Sequence, residues 1–525
     1  MVIVGAGFAG MYMLHKARQQ GLSAQVFEAG GGVGGTWYWN RYPGARCDIE
    51  SMEYSYGFDE ELQQEWDWTE RYAPQPEILK YADHVADRYD LRRDIKFDTK
   101  VTSATFDEAT NTWRVQTDAG DDVTAPYLVM ATGCLSSANT PDIPGADSFE
   151  GPTYHTGTWP HDGVDLSGQR VGIIGTGSSA LQAIPIIAEE AAHLTVFQRT
   201  ATYAVPAWNR PLEPDEVAKV KANYAEFREA NRQMPAAFGG WLDHSEDTAL
   251  SVSAEERRAR FEERWEHGGL PFLGAFTDIL LDPEANEEAA NFVRDRIRRV
   301  VTDPKVAERL VPDQVIGCKR LCVDTGYYET FNRPDVELVD LRETPIEAIT
   351  PAGVRTSAGE HELDALIYAT GFDAMTGALL RIDIRGRDGL TLQDAWAAGP
   401  RTYLGLGVVG FPNMFTITGP GSPSVLTNML VSIQQHVEWI ADCTTHLRER
   451  GIATIEPVPQ AQDNWVDYVN MVAGFTLFPT CNSWYLGANV PGKTRVFMPL
   501  PGFTTYMEQC NLVAEQGYLG FVLAG

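Results

Sequence analysis

Apolar residues along the chain fall in short blocks broken by glycine-rich turns. Val2-Ile3-Val4 has no polar position, which predicts a strand buried on both faces, because alternation disappears where both faces are covered. Gly5-Ala6-Gly7-Phe8-Ala9-Gly10 follows, then a helical pattern to about Gln20 closed by Gly21. Ala24-Gln25-Val26-Phe27 predicts a second strand, ended by Glu28. The same order returns later. Val171-Gly172-Ile173-Ile174 predicts a strand, and Gly175-Thr176-Gly177-Ser178-Ser179-Ala180 opens a helix that continues through Leu181 and Gln182. Leu194-Thr195-Val196-Phe197 predicts the next strand, which runs into Gln198-Arg199-Thr200. Two further apolar strands, Leu128-Val129-Met130 and Leu366-Ile367-Tyr368, each lead into Ala-Thr-Gly.

This spacing has a chemical reading. In a strand–GxGxxG–helix unit the glycines permit a tight turn and close approach of backbone to a pyrophosphate, which rests on the helix N-terminus. Glu28 stands where an acid accepts a ribose 2′-hydroxyl. The second unit offers Arg199 and Thr200 instead, a cation and a hydroxyl suited to a 2′-phosphate. The chain is therefore expected to bind FAD first and NADP(H) second. The fold class is α/β, with two Rossmann-like dinucleotide-binding domains. Residues 1–136 and 366–525 form the FAD domain, and 147–205 with 317–365 the NADP domain. The stretch 206–316 differs in texture: Glu216 to Met234, Ala254 to Trp265 and Glu284 to Thr302 are charged and helically periodic. They predict a helical insertion in the NADP domain, capping it and walling a substrate path.

Composition narrows the partners. The formal net charge is −30, which excludes a nucleic-acid partner and an anionic membrane surface, since both need a basic face. No apolar run reaches about 18 residues, and no basic region precedes an apolar stretch at the N-terminus, so neither a membrane span nor a signal peptide is expected. Met1 stands almost directly on the first strand, so a few upstream residues are expected to precede it. The seven cysteines are scattered, with no CxxC pair and no zinc spacing. That fits a reducing cytoplasm and no metal.

Two longer segments go beyond the glycine motifs. Phe149-Glu150-Gly151-Pro152-Thr153-Tyr154-His155-Thr156-Gly157-Thr158-Trp159-Pro160 fits FxGxxxHxxxWP, and the segment from Gly35 to Asp48 fits GxWxxxxYPGxxxD. With both in order around two Rossmann units, the whole chain resembles the type I Baeyer–Villiger monooxygenases, among them the phenylacetone, steroid and cyclohexanone enzymes. Gly419-Pro420-Gly421-Ser422-Pro423-Ser424 leans toward the phenylacetone and steroid members. The resemblance implies that NADPH reduces FAD, that O₂ adds at flavin C4a, and that the resulting peroxide attacks a ketone to give an ester or lactone. It also implies a monomer.

Resemblance further implies roles. Arg320 is the expected catalytic cation and Asp48 its partner. Flavin contacts are implied at Gly5, Gly7, Ala9, Gly10, Glu28, Thr36, Trp37, Tyr38, Trp39, Asp48, Tyr54, Val101 and Met429. NADP contacts are implied at Arg46, Cys47, Asp48, Thr176, Gly177, Ser178, Ser179, Ala180, Leu181, Gln182, Arg199, Thr200, Lys319, Arg320 and Trp484, with the stretch around Trp484 as a lid. His155 and Trp159 are expected in linker packing. A flavin-containing N- or S-oxygenating monooxygenase shares both Rossmann motifs and is the alternative. A pyridine nucleotide-disulfide reductase would need a cysteine pair near the flavin, where only Cys47 is present. The particular ketone is not legible, because the pocket is made of loops.

Overall fold

The computed structural model describes all 525 residues. Two five-stranded parallel sheets organise it. The first runs Met414–Thr416, Leu128–Met130, Val2–Val4, Gln25–Phe27, Ile95–Lys96. The second runs Val336–Asp340, His193–Gln198, Arg170–Ile174, Ala365–Tyr368, Thr153–His155. Val2, Ile3 and Val4 are all buried, as a strand inside a parallel sheet requires. The helix Phe8–Gln19 covers the first sheet and is covered in turn by the long helix Met429–Glu449, to which it is tied by Tyr12 on Glu438.

Register aligns the two units. Val4 pairs with Phe27 and Met130, so Gly5, Glu28 and Ala131 leave the first sheet together. Ile174 pairs with Phe197 and Tyr368, so Gly175, Gln198 and Ala369 come level at the end of the second. Each Ala-Thr-Gly thus backs a glycine loop. Gly5 has φ +103°, and a Cβ there would lie 2.6 Å from the Ala131 carbonyl oxygen; Gly175 has φ +119°, and its Cβ would lie 2.4 Å from that of Ala369. A larger residue at either place would clash with backbone and adopt a conformation that only glycine takes readily.

The insertion contains Pro214–Ala222, Tyr224–Arg232, Ala254–His267 and Pro283–Val300. Its helices start as local chemistry dictates: Ser253 and Glu256 close a capping box, and Asp282 accepts from two N-terminal backbone amides. The first periodic stretch is two helices, broken at Asn223. Arg228 is buried and donates to the carbonyls of Glu53, Ser55 and Tyr56, the Ser55 hydroxyl and the Gln63 amide oxygen, which fastens this stretch to the segment from Glu53 to Gln63. No helix is long and apolar enough to cross a membrane.

Candidate active site

A cavity of about 640 Å³ runs from the first glycine loop to the second. Gly5, Gly7, Ala9, Glu28, Thr36, Trp37, Trp39, Tyr54, Val101 and Met429 line one part. Arg46, Cys47, Asp48, Gly177, Ser178, Leu181, Gln182, Lys319, Arg320 and Trp484 line the other. Other expected contacts stand outside it. Gly10 is pressed on the Gly5 carbonyl, where a Cβ would fall 1.8 Å from the oxygen. Tyr38 covers Gly30 and Gly32, and its hydroxyl accepts from the Gly31 amide. Thr176 donates to the Thr200 carbonyl, Ser179 pairs with Thr156, and Ala180 is buried in its helix. Arg199 is exposed on the surface.

The two ends differ in charge. Glu28 is 5% exposed, and its oxygens accept from the amides of Ala6 (2.7 Å) and Gly30 (2.8 Å). Burial pushes its carboxyl above the usual range, against those amides, which favour the anion. At the other end Lys319 is half-buried. Burial, and then Arg199 nearby, lower its ammonium pKa. Lys319 is thus a cavity-wall cation with a second cation, Arg199, on the surface nearby.

At the junction Arg320 meets Asp48, 272 positions away in the chain. Nε donates to Oδ2 at 2.7 Å and Nη2 to Oδ1 at 2.9 Å, a forked pair, while Nη1 donates to the Val425 carbonyl at 2.8 Å. Burial disfavours the guanidinium charge, but Asp48 more than offsets this and pushes its pKa upward. Val425 follows the Gly-Pro-Gly-Ser-Pro-Ser segment, in which Ser424 holds a positive φ of 45°.

The YPG part of the fingerprint from Gly35 to Asp48 joins the two glycine units. Tyr42 donates to Gln182 Oε1 (2.8 Å), Gln182 Nε2 donates to the Arg46 carbonyl (3.1 Å), and a Cβ on Gly44 would meet the Gln182 carbonyl at 2.3 Å. The Arg46 side chain is taken up by Glu70 and the Tyr72 carbonyl, which leaves its backbone to face the cavity. His155 accepts from the Gly157 amide, and neither it nor Trp159 lines the cavity.

Sequence reasoning missed Tyr42, which sits inside a motif it had singled out. It also missed Ser137, a cavity-lining residue just past Ala131-Thr132-Gly133, whose buried hydroxyl has no partner. An orphaned hydroxyl in a cavity wall suits a bound polar ligand. Together with the glycine cradles and Glu28, it shows that the residues fit two dinucleotides. The cysteines need a correction: Cys318 and Cys481 are joined in a disulfide, a pairing that their sequence separation of 163 did not suggest and that a reducing compartment does not favour. The bond ties the residue before Lys319 to the segment leading to Trp484.

Residues 2–237 match the pyridine nucleotide-disulphide oxidoreductase family. Over nearly its full length the chain is also similar to a Baeyer–Villiger monooxygenase of Pseudooceanicola batsensis, at 46% identity across 99% of this chain and 95% of the relative. The chain belongs to the Baeyer–Villiger monooxygenase family. A solved structure of an oxidized steroid monooxygenase bound to NADP is 56% identical, with a TM-score of 0.95 and coverage of 100% of this chain and 99% of that one. The phenazine N-monooxygenase of Lysobacter antibioticus is 44% identical over 99% of this chain and 96% of its own. Baeyer–Villiger membership also accounts for the partial disulphide-oxidoreductase match, which spans both glycine-loop units. Cys47 and Cys134 both line the cavity but are not joined in a disulfide.

Proposed function

We propose that this chain is a Baeyer–Villiger monooxygenase that holds FAD at the first glycine loop, binds NADPH at the second, and turns a ketone into an ester or lactone. The observation that supports this best is the Asp48–Arg320 fork at the point where the two loops share one cavity. Held at the first glycine loop and Glu28, FAD would supply the redox chemistry, with NADPH as hydride source and O₂ as the source of the inserted oxygen atom. The chain's own residues supply charge, orientation and dryness. Arg320, kept protonated by Asp48, is a fixed cation for negative charge growing on an attacked carbonyl oxygen. Asp48 and the Val425 carbonyl hold the guanidinium in one orientation. Glu28 is placed for a ribose of the first dinucleotide, and Lys319 with Arg199 for the 2′-phosphate of the second, where an added anion relieves their mutual repulsion. Trp484, tied through Cys481 to Cys318, closes the wall against water.

In this reading the partners are a small ketone and O₂, with no nucleic acid or membrane. The protein acts as a monomer. A second reading, oxygenation of an amine nitrogen, has the phenazine N-monooxygenase relative in its favour. Mass spectrometry of products made with FAD, NADPH, ¹⁸O₂ and a panel of ketones, with sulfide and amine controls, separates the two. A labelled ester or lactone is expected. Labelled N-oxide or sulfoxide alone would move the function to heteroatom oxygenation.

A further inference from the structure

The Asp48–Arg320 pair joins two distant chain segments, and something must hold those segments in register. Arg71 stands between them. Its side chain is only 7% exposed. Toward the Asp48 side, Nε and Nη2 donate to Glu50 Oε1 at 3.0 and 2.6 Å, two residues past Asp48. The Arg71 carbonyl accepts from the Ser51 amide at 2.8 Å, so its backbone grips the same loop.

Toward the Arg320 side, Nη1 donates to the His267 carbonyl at 2.7 Å and to the Ala207 carbonyl at 3.4 Å. Ala207 follows the strand Ala204–Pro206, which pairs in parallel with Cys322–Asp324, the strand entered just after Arg320 and Leu321. The Ala207 amide donates to the Asp324 carbonyl at 2.8 Å, so that carbonyl is one bond from the Arg320 strand. Nη2 also lies 2.9 Å from His267 Nε2, at the end of the insertion helix Ala254–His267. A second cavity of about 230 Å³ lies here, with Asp48, Glu50, Arg71 and His267 in its wall. Asp48 and Ile49 line both this cavity and the large one.

We propose that Arg71 is a positioning residue, set by Glu50 on one side and by the Ala207 and His267 carbonyls on the other, which fixes Asp48 relative to Arg320 and links both to the helical insertion. The proposal rests on the ketone-oxygenating reading above. A guanidinium is suited to it because it binds three directions at once from one plane, which an ammonium on a flexible stem cannot do. A misaligned pair leaves hydride transfer from NADPH intact but fails at the later oxygen transfer. NADPH and O₂ are then consumed to give NADP⁺ and hydrogen peroxide in place of ester.

The test is Arg71→Lys, which keeps the charge and loses the fork. Ester formed per NADPH consumed, peroxide released, KM for NADPH, flavin reduction rate and melting temperature are measured in the flavin-loaded protein. We expect ester per NADPH to fall at least about fivefold, with peroxide making up the difference, while KM and the reduction rate stay within about twofold. Arg18→Lys, at a remote ion pair with Asp94, is the control and should leave coupling unchanged. Glu50→Gln decides the matter if Arg71→Lys does not fold, and the same split is expected of it. Unchanged ester per NADPH in a folded variant, or KM, reduction rate and ester falling together, overturns the positioning role alone. Absence of ester from the unaltered chain overturns the ketone reading and the positioning role with it.

Discussion

The two glycine loops leave their sheets in the same register and end in opposite chemistry. In the first, the position beside the glycine is Glu28, buried, with both oxygens already held by backbone amides. In the second, the matching position is Gln198, also buried, whose Nε2 donates to the Arg309 carbonyl while its Oε1 has no partner. The cation comes one residue later, at Arg199, which is exposed, and is joined across the wall by half-buried Lys319. One backbone scaffold thus provides an enclosed acidic end and an open basic end. We read the first as the place of a cofactor that stays and the second as the place of one that exchanges on each turnover.

The largest effect that bears on this contrast is expected at the tether. The Cys318–Cys481 bond closes a long loop on the open side, and such a bond contributes about 2–4 kcal/mol. Cys481→Ser, or reduction with a thiol, should lower the melting temperature by a few degrees and speed NADP⁺ release. Flavin retention should not change; flavin loss measured by filtration would show that the two ends are not independent. Next in size is Lys319→Ala. A charge-assisted contact to a phosphate is worth about 1.5–3 kcal/mol, so KM for NADPH should rise about 10- to 100-fold. KM for NADH should hardly move, and equal changes for the two nucleotides would remove Lys319 from the 2′-phosphate site.

A third effect, read across a pH range rather than at one pH, concerns Glu53, behind the Asp48 loop. Burial, and then the charge of Glu50, push its carboxyl up from 4.5 to about 8, against the Gly239 amide that donates to it at 2.7 Å. The folded protein therefore holds this proton more tightly than the unfolded chain. Its stabilisation is complete below about pH 4.5 and is lost as the pH rises through about 8, at no more than about 1.4 kcal/mol per pH unit. The melting temperature of the unaltered protein should decline across that window relative to Glu53→Gln. Parallel pH profiles for the two would contradict it.

What was legible in the sequence was local. Gly5, Gly175, Glu28 and Arg199 announce themselves because a glycine turn and the end of the following strand lie within about 30 residues, the span of one unit. The fork between Asp48 and Arg320 spans 272 positions and was legible only because a long fingerprint ends at Asp48. Gln198 as the counterpart of Glu28 needed the strand register. Arg228 reads as surface charge on a periodic helix, yet backbone carbonyls satisfy it inside the protein, a role that no spacing encodes. The Cys318–Cys481 bond was invisible for the same reason: neither cysteine stands near another in a motif.

The account turns on Arg320 acting after hydride transfer, where the two sites meet. Rapid mixing of Arg320→Ala with NADPH, followed by O₂ and a ketone that the unaltered protein oxygenates, tests this directly. The expected result is bleaching of the flavin at close to the unaltered rate, with reoxidation that yields peroxide and no ester. Ester formed at the unaltered rate would contradict the assignment of Arg320 and, with it, the reading of the Asp48 fork.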